Sequence, residues 1–232
     1  MATRPGGEMA TRPLHFIWIA DCSGSMAGEK IQSLNFAIRE AIPAMQEVAG
    51  DNPHAQVLVR ALKFSSGAQW HISQPTDVKD FKWIDLSADG VTDLGAALKK
   101  AAEVLKVSVL GDRALPPVLV LLSDGIPTDD YGSGLKTLME EPWGKKAVRI
   151  AIAIGEDADH EPLQKFIGHK EIQPLQANNP KSLVKYIKWA STAVLKAASS
   201  PASQVKGAAD SAMNVPVPAA PAAGPADAND VW

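Results

Sequence analysis

The apolar run from Leu14 to Ala20 passes directly into Asp21-Cys22-Ser23-Gly24-Ser25. Seven residues with almost no polar alternation read as a strand buried on both faces. Such a strand needs a parallel sheet with helices packed on each side. Open sheets of that kind hold ligands at the carboxyl ends of their strands. The polar loop at Asp21 therefore falls where a ligand is expected.

The rest of the chain supplies the other strands and helices. From Lys30 to Val48, Ile31, Leu34, Ile38, Ile42 and Met45 recur at three- and four-residue steps, which predicts a long helix, bent at Pro43. Gln56 to Phe64 predicts a strand, Ser65-Ser66-Gly67 a turn, and Ala68 to Ser73 an antiparallel edge strand. Gly90-Val91-Thr92-Asp93 leads into a helix over Leu94–Leu105. Val118–Leu122 is a third buried strand and ends in Ser123-Asp124-Gly125. A helix around Leu135–Glu141, a strand over Val148–Ile154, a helix near Glu161–Ile167, a strand near Ile172–Leu175 and a helix from Lys181 to about Ala197 complete the pattern. The expectation is one α/β domain over residues 14–198, with a mostly parallel sheet and helices on both faces. Residues 1–13 read as a disordered lead-in. Residues 199–232, rich in Ala and Pro, read as a disordered tail with too little apolar surface to offset its ordering entropy.

Composition narrows the function classes. The 232 residues carry a net charge of -3 and no Lys/Arg cluster, which argues against nucleic acid as partner. One cysteine, Cys22, excludes an internal disulfide and a cysteine-built zinc site, and suits a reducing compartment. The first residues lack the apolar segment of a signal peptide, and no apolar run approaches the roughly 20 residues that span a bilayer. A cytoplasmic protein without a membrane partner is expected.

Five oxygen-bearing residues fall at strand ends: Asp21, Ser23 and Ser25 after the first strand, Thr92 at a helix start, and Asp124 after a central strand. Alone, each would be an ordinary helix cap or turn residue. Together they are a hard, oxygen-only donor set suited to Mg²⁺, with Mn²⁺ as the alternative. Three hydroxyls and only two carboxylates leave the ion electrophilic, with room for one anionic oxygen from a partner's Glu or Asp. No nucleophile–base pair accompanies them, so a binding module is expected rather than an enzyme. Asp129 and Asp130 follow closely and read as candidate partner-binding residues.

Asp21-x-Ser23-x-Ser25, Gly90-x-Thr92 and Ser123-Asp124-Gly125 resemble the metal-ion-dependent adhesion site (MIDAS) of the von Willebrand factor A (vWA) family. The resemblance spans about Leu14 to Ala198. It implies a Rossmann-like six-stranded sheet with one antiparallel edge strand. It also implies hydroxyl ligands at Ser23, Ser25 and Thr92 and carboxylates at Asp21 and Asp124. Gly125-Ile126-Pro127-Thr128-Asp129-Asp130 and Tyr186-Ile187-Lys188-Trp189-Ala190-Ser191 resemble the bacterial tellurium-resistance-associated TerY-like branch. That branch implies metal-dependent phosphatases and protein kinases as partners, although the Cys-rich extension of some members is missing here. Two alternatives stand beside it. One is a chelatase-like adaptor for a separate AAA+ ATPase, since the chain has no Walker A motif. The other is a phosphotransferase resembling the haloacid-dehalogenase class, which is disfavoured because Ser23 stands where those enzymes place a second Asp.

Overall fold

The computed structural model of the protein describes residues 11–200 and 215–222. Expectations for residues 1–10, 201–214 and 223–232 lie outside the described residues. The sheet has six strands in the order β3-β2-β1-β4-β5-β6. They are β1 (Arg12–Asp21), β2 (Ala55–Ser65), β3 (Gly67–Asp77), β4 (Val118–Ser123), β5 (Val148–Ile154) and β6 (Leu175–Ala177). All pairings are parallel except β2 with β3, the antiparallel edge hairpin.

Side-chain alternation divides the core into two layers. Phe16, Trp18, Val59, Val120 and Ile152 face one side, under α1 (Glu29–Gly50) and α7 (Pro180–Trp189). Ile17, Ile19, Leu62, Leu121 and Ala153 face the other. That side is covered by α2 (Leu94–Ala102), α3 (Val107–Leu110), α4 (Tyr131–Glu140), α5 (Pro142–Lys146) and α6 (His160–Ile167). The α1 helix continues through Pro43, whose exposed position lets water satisfy the carbonyl left without an N–H donor.

Several boundaries differ from expectation for identifiable reasons. Arg12 and Pro13, expected in the lead-in, belong to β1. Arg12 pairs with Ala55, and its guanidinium donates to the carbonyls of Arg113 and Ala114 at 2.9 Å. The α3 and α5 helices are too short to show helical periodicity. The α4 helix begins before Leu135 because Asp130 caps it, accepting from Ser133 N at 3.0 Å. The last strand starts at Leu175 rather than Ile172, because Pro174 has no N–H to contribute to a ladder. After α7 a π turn (Ala190–Val194) precedes α8 (Leu195–Ser199). There the hydroxyls of Ser191 and Thr192 donate to the carbonyls of Ile187 and Lys188, competing with the helical ladder. Within the stretch expected to be a disordered tail, Val215 is buried against the domain beside Trp189 and Leu175.

His15 on β1 is buried, and its Nδ1 has no hydrogen-bond partner. Burial, and then the positive charge of Arg60, push its pKa down to about 4. The unfolded chain would take up this proton near pH 6.5, so the folded state binds fewer protons between those values. Stability should therefore fall by about 2–3 kcal/mol as pH drops from 6.5 towards 4, with no further loss from this group below. Urea unfolding across that range checks it: His15→Leu should show a shallower decline than wild type.

Candidate metal centre

The site lies where β1 and β4 end side by side. Their parallel register, Phe16 opposite Val118 through Ala20 opposite Leu122, puts Asp21 next to Ser123. Asp21 is wholly buried. Its Oδ1 accepts from Ser23 N at 2.8 Å and its Oδ2 from Ser123 Oγ at 2.5 Å. Burial raises the Asp21 pKa, opposed by those hydrogen bonds, while the nearby charge of Asp124 raises it further. Two carboxylates held together in a buried place are an arrangement that a cation relieves.

The loop after β1 then turns through a single 3₁₀ turn (Gly24–Met26). Ser23 Oγ lies 2.9 Å from Ser25 Oγ, and Ser25 Oγ donates to Asp124 Oδ1 at 2.8 Å. The segment bearing Thr92 is fastened to this loop by Gly24 N donating to Gly90 O at 2.9 Å. Gly90 has φ +83°, and a β-carbon there would stand 2.5 Å from Ser66 Oγ, so only glycine fits. The five predicted residues thus converge from the ends of β1 and β4 and from the start of α2.

Thr92 is buried, and its hydroxyl has no hydrogen bond among the described residues. A β-carbon on Gly125 would stand 3.1 Å from Thr92 Oγ1 and 3.6 Å from Asp21 Oδ2. The absence of a side chain at Gly125 keeps open a recess lined by a free hydroxyl and a carboxylate. That cradle and the surrounding oxygens fit a small, hard cation. Ser23, Ser25 and Thr92 would hold it through hydroxyls, with Asp21 and Asp124 supplying the negative charge.

Asp129 and Asp130 have other work. Asp129 accepts from Gly95 N and Ala96 N, both at 2.7 Å, fixing the start of α2, while Asp130 caps α4. Their carboxylates hold helix N-termini, and Asp130 remains exposed. Two positioning residues were not foreseen. Asp93 accepts from Gly67 N at 2.7 Å and from Thr128 Oγ1 at 3.0 Å, and Thr128 Oγ1 in turn accepts from Thr92 N at 3.1 Å.

Lys30, on the first turn of α1, was also not foreseen. Its ammonium donates to Asp124 Oδ2 at 2.7 Å and to Asp157 Oδ1 at 3.3 Å. Partial burial lowers its pKa, but the hydrogen bond and charge of Asp124, joined by Asp157, outweigh this and raise it. A protein cation thus already sits on one of the two site carboxylates. Cys22, beside Asp21, is buried, and its thiol is pushed up to about 12, chiefly by burial, so it is inert as a ligand or nucleophile.

A family model described as the von Willebrand factor type A domain matches residues 17–187. The chain belongs to that family. Among solved structures with the vWA fold, it is similar to the ArnB paralog VWA2 from Sulfolobus acidocaldarius (24% identity, TM-score 0.55, 76% of this chain and 44% of that one). It is also similar to a von Willebrand factor type A protein from Catenulispora acidiphila (18% identity, TM-score 0.59, 81% and 43%). A third is proximal thread matrix protein 1 from the mussel byssus with a zinc-occupied MIDAS motif (18%, TM-score 0.57, 80% and 48%). These likenesses show the shared fold, and the chain spans less than half the length of each. No match is found among curated proteins. vWA domains are commonly metal-dependent protein-interaction modules and in general not enzymes. Among the described residues no helix is long and apolar enough to cross a membrane.

Lys30→Ala leaves Asp124 buried without its cation. In EDTA the variant should lose about 2 kcal/mol of stability. A few millimolar Mg²⁺ should restore more of its melting temperature than the same addition raises wild type. Differential scanning calorimetry with and without Mg²⁺ checks both parts.

Proposed function

We propose that this vWA domain binds Mg²⁺ through Asp21, Ser23, Ser25, Thr92 and Asp124, and that the site grips an acidic side chain of a protein partner. The observation that carries this reading is the convergence of two strand ends, of β1 and β4, and the start of α2 on two buried carboxylates and a free hydroxyl, with a recess kept open by Gly125. The bound ion supplies a Lewis-acidic position for the partner's carboxylate. The protein's own part is positional. Ser123 and the Ser23 amide hold Asp21 in place, and Thr128 holds the Thr92 backbone. Lys30 can pass from Asp124 to Asp157 when Asp124 is needed elsewhere.

The rim supports a protein partner. Val91, next to Thr92, and Ile126, two residues after Asp124, are 47% and 67% exposed. Two exposed aliphatic side chains around a polar centre are the composition of a docking patch, with the charged contact at the middle. The local resemblance around Gly125–Asp130 favours a bacterial tellurium-resistance-type phospho-signalling adaptor, with a metal-dependent phosphatase or a kinase as partner. A chelatase-like adaptor for an AAA+ ATPase would use the same site. The free, buried Cys22 favours the cytoplasm. A phosphotransferase is disfavoured although Lys30 lies close by: both oxygens of Asp21 accept hydrogen bonds, and the group is wholly buried, so it is a poor nucleophile.

Isothermal titration with Mg²⁺ tests the assignment. Wild type should bind one ion, and Asp21→Ala and Thr92→Ala should each weaken it at least about tenfold, roughly 1.4 kcal/mol. Unchanged affinity in either variant would sink the ligand set. Ile126→Ser should leave that affinity as in wild type, and turnover of a generic phosphomonoester that Asp21→Asn abolishes would restore the enzyme reading.

A further inference from the structure

Far along the sheet from the metal centre, Val215-Pro216-Val217-Pro218-Ala219-Ala220-Pro221-Ala222 lies against the domain. Its prolines fix φ near -65°, and each residue before a proline is driven to extended backbone. The sequence therefore favours polyproline II, a helix of three residues per turn. Val215 is buried, Val217, Pro218 and Pro221 are half-buried, and Pro216, Ala219, Ala220 and Ala222 are exposed, so the 215–218–221 row is turned in and the 216–219–222 row out. In a polyproline II helix these two rows would be its inner and outer faces.

The surface it meets is shaped for it. The strap and the domain together line a cavity of about 480 Å³, walled by Ile150 of β5, Ile172, Pro174, Leu175 of the edge strand β6, and Trp189 at the end of α7. The indole Nε1 of Trp189 is buried and has no hydrogen-bond partner. Grooves that take proline-rich segments are lined by aromatic rings. The helix is distorted here as well, since the π turn Ala190–Val194 begins at the residue after Trp189, and such turns are frequent at functional sites. Beyond the groove, Lys185 Nζ donates to Ala222 O at 2.7 Å.

We infer that this groove is a binding site for proline-rich peptide in the polyproline II conformation. The chain's own Val215–Ala222 is its resident occupant, exchangeable with a proline-rich segment of a partner protein. Three features support exchange over permanent packing. The space between strap and wall is incompletely filled, the indole N–H is unsatisfied, and the only side-chain hydrogen bond to the strap among the described residues is at the exposed Ala222 carbonyl. Residues 201–214 separate the strap from Ser200 by fourteen positions in sequence. A covalent connection of that length holds the strap at an effective concentration on the order of millimolar, so it can occupy a weak site and still leave it.

The test uses the full chain with Val215→Asp and Pro218→Asp, which empty the groove, and a synthetic peptide of residues 214–222. Its readout is the indole N–H resonance of Trp189. The variant should bind the peptide saturably, at least about tenfold more tightly than wild type, where the tethered strap competes. A peptide with serine in place of Pro218 and Pro221 should bind at least about tenfold more weakly than the unaltered one. A folded variant that does not bind, equal binding by wild type and variant, or equal binding of the serine peptide would each overturn the inference. Should the variant not fold, isotope-edited nuclear Overhauser contacts in wild type decide. Contacts between Trp189 and the chain's own Pro218 should give way to intermolecular ones as peptide rises past about 10 mM, above the tether's effective concentration. Their persistence counts against exchange.

Discussion

The parallel pairing of β1 with β4 sets where Asp21, Ser123 and Asp124 of the candidate metal centre lie. With Ala20 opposite Leu122, the next residue of each strand places Asp21 beside Ser123, and their side chains close at 2.5 Å. The loop after β1 can then reach Asp124 through Ser25, and Gly24 can fasten the Thr92 segment through Gly90. A one-residue slip would exchange the two faces of β1, driving Trp18 and Phe16 out of one core layer and Asp21 out of its niche. The burial that stabilises the sheet thereby specifies the site.

Electrostatics follows from that placement. Burial disfavours the charged form of Asp21, and the nearby charge of Asp124 adds to this in smaller measure. Lys30 compensates on one side only, through Asp124. Asp21 depends on hydrogen bonds from Ser123 and Ser23. The protein therefore carries a partial substitute for a cation, and a divalent ion at the proposed site would have to compete with a resident ammonium. That competition, together with the scarcity of charged ligands, would be the physical setting for a metal affinity that a partner's carboxylate reinforces.

Much of this was legible in the sequence. Unbroken apolar runs such as Val118–Leu122 can be little other than buried strands, and polar residues at their ends are exposed by contrast with what precedes them. What stayed hidden depended on contacts remote in sequence. Lys30 meets Asp124 across 94 positions, and Asp129 reaches Gly95 across 34, and neither spacing has a local pattern. For that reason Asp129 read as a free acidic group when it is a cap for α2. The short helices α3 and α5 offered too few turns for periodicity, and the three-residue β6 was misplaced because Ile172, which packs against the core outside any strand, looked like strand sequence. In the tail, Ala/Pro composition concealed an inward row, Val215, Pro218 and Pro221, that appears only once burial is known.

The central claim is that five side chains from the ends of β1 and β4 and the start of α2 form one coordination site. A crystal structure grown with Mn²⁺, recorded where manganese scatters anomalously, tests it most directly. The account predicts a single strong anomalous peak with the hydroxyl oxygens of Ser23, Ser25 and Thr92 at coordination distance, about 2.0–2.3 Å, and with Asp21 and Asp124 beside it. A peak elsewhere, or none between β1 and β4 in saturating metal, would contradict it.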